Sequence, residues 1–183
     1  MNKNIFILIF CFSLIIVGCK KDDSIPKKST ESEELSGSSR ARKLDIITGV
    51  GFLAAPNECD FEGRGASYAV RMTGDLEGCL YAFIDFYQCK GNGIYFEKGH
   101  ELFVGTYKGK PGTFRTTYTF EAKFEGCNPD GTPAGAEIFG LCQHPLVPGS
   151  GEGVFKGATG RLDFWDNVKA VPINYPYIGH LRF

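Results

Sequence analysis

The stretch GVFKGATGRL, Gly153 to Leu162, repeats a pattern already used in GTYKGKPGTF, Gly105 to Phe114, and both read G-x-[FY]-K-G-x-x-G-x-[FL]. Used twice, such a glycine-rich decapeptide is either a phosphate-cradling loop or a repeated corner of a sheet. A dinucleotide fingerprint needs G-x-G-x-x-G opening a helix, and a P-loop needs G-x-x-x-x-G-K-[ST]; neither spacing is present. In each copy an apolar-basic pair, Tyr107-Lys108 or Phe155-Lys156, precedes G-x-x-G, and a strand pattern starts directly behind it. Both copies therefore read as hairpin corners. Glycine suits such corners because positive φ costs a residue with a Cβ roughly 1–2 kcal/mol.

The strand behind the first copy is the clearest in the chain. In TFRTTYTFEAKF, Phe114, Thr116, Tyr118, Phe120, Ala122 and Phe124 share one face, while Arg115, Thr117, Thr119, Glu121 and Lys123 share the other. This period of two predicts a half-buried antiparallel strand. Shorter segments of the same kind fall at 44–53, 66–73, 80–88, 101–108, 136–147, 161–166 and 177–183, separated by glycine- or proline-rich turns, which makes eight strands. No segment offers a capped helix with apolar positions at three-to-four spacing.

Upstream of this domain the chain opens MNKNIFILIFCFSLIIVGCKKDD, with Lys3 followed by an uncharged apolar run from Ile5 to Val17. The run is shorter than the roughly 20 residues of a membrane helix and has the form of a secretory signal. Ile16-Val17-Gly18-Cys19 resembles the lipobox of bacterial lipoproteins, which implies a signal peptide over 1–18 and a lipidated N-terminal Cys19. Lys20 to Asp23 resembles the charged tether that sends some lipoproteins to the cell surface. The segment 19–43 is rich in Lys, Ser, Glu and Asp and is expected to be a disordered tether, leaving 44–183 as one barrel-sized domain. The expected address is the outer membrane, anchored by lipid, with the cell surface favoured over the periplasmic face.

Net charge is −1 and the basic residues are scattered, which argues against a nucleic-acid partner. The domain holds Cys59, Cys79, Cys89, Cys127 and Cys142 on the exported side, where disulfides persist. Cys79 and Cys89 bracket a strand whose ends lie about 33 Å apart, far beyond the roughly 4.4–6.8 Å between the Cα atoms of a disulfide. Cys127 and Cys142 flank the turn signals of NPDGTPAG and form the expected pair. No C-x-x-C, H-x-x-x-H or H-E-x-x-H occurs, so no metal and no cofactor is implied.

Gly149 to Leu162, GSGEGVFKGATGRL, resembles the G-[ST]-G-x-F-x-G-A-x-G segment of the allene oxide cyclase and dirigent barrel superfamily, interrupted by two residues between Gly151 and Val154. The closing stretch from Tyr175 to Phe183 is similar to that superfamily's last strand. The resemblance covers about the final thirty-five residues. It implies an all-β, eight-stranded antiparallel up-and-down barrel, in agreement with the independent strand count, and such a barrel is either filled or holds one small ligand. Activity does not travel with the fold, and no catalytic residue of the cyclases maps onto this chain.

Two candidate interior acids remain. Asp85 is flanked two residues either side by Phe83 and Tyr87, and Asp163 is flanked by Leu162 and Phe164, although the outward orientation is favoured for both. The expected function is a tethered barrel that binds a small apolar ligand without catalysis or serves structurally. The alternative is an isomerase or cyclase acting on a lipid-like or phenolic molecule. Phe114, Tyr118, Phe120, Phe124 and Asp85 are the candidate lining, which predicts an uncharged or weakly acidic ligand. A constellation of interior polar groups favours the enzyme, whereas a filled interior favours the structural role. The sequence leaves oligomeric state open.

Overall fold

The computed structural model describes residues 43–183. The expected signal peptide over 1–18, the expected lipidation at Cys19 and the expected tether up to residue 42 fall outside the described residues. Nine strands follow one another: β1 Leu44–Leu53, β2 Tyr68–Gly74, β3 Leu76–Lys90, β4 Ile94–Tyr107, β5 Lys110–Cys127, β6 Pro133–Pro145, β7 Glu152–Gly153, β8 Thr159–Trp165 and β9 Tyr175–Arg182. No helix occurs among the described residues. Eight of the strands run antiparallel, each beside the next in the chain, and β9 returns to pair with β1. The result is a closed eight-stranded up-and-down barrel. Closure pairs the ladder groups that an open sheet would leave at its edges.

The alternation in β5 has the physical consequence expected of it. Phe114, Thr116, Tyr118 and Ala122 are buried, and Phe120 and Phe124 are half-buried, while Arg115, Thr117, Thr119 and Glu121 are exposed.

The two copies of the repeated decapeptide take different forms. The first is a tight hairpin, in which Lys108 and Gly109 carry φ of 53° and 71° between the paired residues Tyr107 and Lys110. Two successive positive φ values match the right-handed twist of the flanking strands. The second copy is not a hairpin corner, because the strands on either side of it do not pair: β7 lies on β5, while β8 lies between β6 and β9. Glu152 and Gly153, the dipeptide that interrupts the superfamily-like motif, are the whole of β7. They pair with Thr113 and Gly112, so the two copies abut at one end of the barrel.

That end is closed by aromatic rings. Phe155, from the second copy, is 0% exposed and meets Phe114 at 4.9 Å, Phe103 at 5.7 Å and Tyr107, its counterpart in the first copy, at 6.1 Å. Asp45 seals the rim by accepting hydrogen bonds from the Tyr107 hydroxyl at 2.8 Å and the Lys108 ammonium at 2.9 Å. The Lys108 ammonium, and after it the Tyr107 hydroxyl, hold the Asp45 carboxyl well below the usual carboxylate range. Above this floor Ile47, Met72, Leu76, Leu80, Leu162 and Leu181 complete the apolar core.

Two disulfides hold the outside together, and the expected Cys127–Cys142 bond is not one of them. Cys59 is bonded to Cys79, fixing the loop after β1 against the outer face of β3, and Cys89 is bonded to Cys127, tying the end of β3 to the end of β5. Cys79 and Cys89 are not bonded to each other, as the strand between them requires. The Cys127–Cys142 pairing fails because the β5–β6 hairpin does not turn midway between the two cysteines. Cys127 lies opposite Pro133, whereas Cys142 lies opposite Phe120, seven residues or about 23 Å further along β5. Cys142 is free and buried inside the barrel.

Candidate functional site

Opposite the aromatic floor the barrel holds a cavity of about 250 Å³. Two of its carboxylates come from β4, where the period of two places Tyr95, Glu97, Gly99, Glu101 and Phe103 on the inner face. The segment drawn at 101–108 cuts this strand short, and the full strand begins at Ile94. Two carboxylates thus enter the interior with aromatic residues on either side of them.

Glu101 is 3% exposed and has two donors on one oxygen. Thr116, directly opposite on β5, donates its hydroxyl to Oε2 at 2.5 Å, and His144 Nδ1 lies 2.6 Å from the same atom. An ionised carboxylate only accepts, so it draws an imidazole proton to Nδ1, and in the neutral ring Nε2 is then the acceptor. His144 is 5% exposed, lines the cavity, and has no hydrogen-bond partner at Nε2. The ring is clamped between Tyr118 at 5.8 Å and Phe164 at 4.6 Å. A base oriented by a carboxylate and left unpartnered on its other edge is the arrangement that proton transfer requires.

Glu97 is 6% exposed and collects three phenols. Tyr95 donates to Oε2 at 2.6 Å, and Tyr118 and Tyr68 donate to Oε1 at 2.7 Å and 3.3 Å. Burial, followed by the charge of Glu97 for Tyr68 and the hydrogen bond to Glu97 for Tyr95 and Tyr118, pushes all three phenols well up. They therefore stay protonated and serve as donors. Burial likewise pushes the Cys142 thiol far above its ordinary value, so it lines the cavity as a neutral group and not as a nucleophile.

At the mouth, Glu137 and Asp166 converge over Gly140. A Cβ built there would fall 2.5 Å from both Glu137 Oε1 and Asp166 Oδ2, so glycine leaves the space that the two carboxyls occupy. Burial, together with the adjacent Asp166, raises the Glu137 carboxyl, and burial raises Asp166 as well. The pair therefore retains one proton at neutral pH. Glu137 Oε1 has no hydrogen-bond partner, and both residues line the cavity.

The residues expected to line a pocket are divided among several places. Phe120 lines the cavity. Tyr118 stands behind Glu97, Phe114 belongs to the aromatic floor, and Phe124 meets Tyr95 edge-on at 5.8 Å beside the Cys89–Cys127 bond. Asp85 does not line the interior. A bulge between Ile84 and Phe86 breaks the alternation, so Phe83 and Tyr87, opposite His100 and Glu97, no longer share a face. The Asp85 side chain is 57% exposed and bonds His100 on the outer surface. Asp163 also faces outward, beside Arg161.

Among the described residues no group of three His, Cys, Asp or Glu is arranged to hold a metal ion. No known family, no curated protein and no solved structure matches this chain.

Proposed function

We propose that the open half of the barrel binds a small, largely apolar molecule and moves a proton on it, as an isomerase or cyclase that needs no cofactor. The observation that carries this reading is His144, held by Glu101 at Nδ1 and unpartnered at Nε2 beside the cavity. Nε2 takes a proton from a substrate carbon acidified by a neighbouring carbonyl. The resulting imidazolium is stabilised by Glu101, and the proton returns to a different atom of the same molecule. Nothing is oxidised or reduced. A positioned histidine base of this kind contributes roughly 10²–10⁴-fold in rate.

On the same reading the protein is exported and lipid-anchored at the outer membrane through Cys19, favouring the cell surface. Two disulfides in the barrel support an oxidising compartment. Mass spectrometry of the mature N-terminus tests the anchor.

The catalytic reading is tested by incubating the full chain with a panel of small cyclic and aryl ketones in D₂O and following deuterium incorporation by NMR. Enzyme-dependent exchange that is lost in His144→Ala and reduced in Glu101→Gln supports it. Binding of the same ketones without exchange reduces the protein to a carrier, and neither binding nor exchange overturns the reading.

A further inference from the structure

The cavity's charges are one-sided. Glu97, Glu101, Glu137 and Asp166 all line it, and among the described residues no lysine or arginine does; of those residues His144 is the only one that can carry a positive charge there. With one proton shared between Glu137 and Asp166, three negative charges face at most one positive charge. Glu97 and Glu101 already hold hydroxyl and imidazole donors. Glu137 Oε1, by contrast, has no donor among the described residues, and it lines the cavity with Phe120, Phe164 and Tyr175. His144 Nε2 adds a second unpartnered atom, on a side chain 5% exposed, so the cavity's own groups do not satisfy one another.

We propose that the molecule this cavity takes is an organic cation, an apolar body carrying a protonated amine, with the ammonium seated at Glu137 and Asp166. This inference rests on the reading of the open half of the barrel as a binding site. The ammonium supplies the donors that Glu137 lacks, and it converts the shared-proton pair into a fully ionised one by releasing that proton to solvent. Phe164 and Tyr175 line the same cavity, and aromatic rings attract positive charge. The apolar body lies along Val70, Leu80 and Phe120 towards His144. Carboxylates and phosphates meet like charge in a low-dielectric space, so the weakly acidic ligand expected from the tyrosine-lined strand is disfavoured.

The test is calorimetric titration of the full chain with a matched trio: 2-phenylethylamine, 2-phenylethanol and phenylacetate. The amine is expected to bind at least about tenfold more tightly than the alcohol, as a charge-assisted hydrogen bond provides, and phenylacetate is expected not to bind. Its advantage shrinks as salt is raised and disappears in Glu137→Gln/Asp166→Asn, whose alcohol binding and thermal melting report that the barrel is intact. If that double variant does not fold, Glu137→Gln alone carries the comparison. Alcohol bound as tightly as amine overturns the cation proposal while the cavity reading stands. Failure of all three to bind overturns both.

Discussion

Replacing Phe155 by alanine removes the ring that the second glycine-rich copy inserts into the closed end of the barrel. The side chain is fully buried and touches the rings of Phe103, Phe114 and Tyr107, so nothing can move into its place without opening the floor. Returning a buried phenylalanine to water forfeits about 2 kcal/mol of transfer free energy, and the void left behind adds about 2 kcal/mol more. The expected loss is therefore about 4 kcal/mol, read by urea unfolding of the full chain as a lower midpoint at an unchanged slope. Phe86→Ala is the control. That ring is 44% exposed on the outer surface, and its loss is expected to cost under about 1 kcal/mol. A Phe155→Ala cost no greater than that of Phe86→Ala refutes the plugged floor.

Peptide mapping without reduction is expected to recover Cys59 joined to Cys79 and Cys89 joined to Cys127, with Cys142 as a thiol. Loop separations of 20 and 38 residues give about 3 and about 4 kcal/mol of stabilisation respectively in the chain-entropy account, so replacing both cysteines of the longer loop by serine is the costlier change. Stability is also expected to depend on pH through the carboxyls at the mouth. The folded barrel keeps the Glu137 proton up to about 8, whereas an exposed glutamate releases it near 4.5, so stability falls as pH rises through that window. Glu137→Gln flattens this fall, and urea midpoints measured at pH 5 and pH 8 in both proteins give the comparison.

The architecture was legible because barrel strands alternate with a strict period. β1 was readable from Leu44 to Leu53, and the inner face of β5 was readable residue by residue, because apolar and polar side chains separate cleanly there. The site was illegible for the converse reason. Glu97 and Glu101 occupy inward positions, so they break the hydrophobic pattern that defines an inner face, and β4 looked like a strand only from Glu101 onward. Tyr95 and Phe103, on the same parity as both glutamates, were the signal that could have revealed them. Asp85 takes the outward orientation favoured for it, and its place in the candidate lining arose because a bulge changes parity without leaving a trace in composition. Hairpin register caused the disulfide error, since turn residues mark where a chain reverses but not which distant cysteines come level. His144 lies within a strand expected from the sequence, yet its role depends on Glu101, 43 residues away in the chain.

The most direct test of the central claim is nitrogen-15 NMR of the His144 ring, in the full chain, with and without a bound ligand. An interior base poised for proton transfer predicts a neutral ring protonated at Nδ1, with an Nε2 resonance of the unprotonated type that moves when 2-phenylethylamine or an exchanging ketone is added. An Nε2 that carries the proton while Nδ1 is bare, or a ring whose resonances ignore every ligand that binds the barrel, would contradict it.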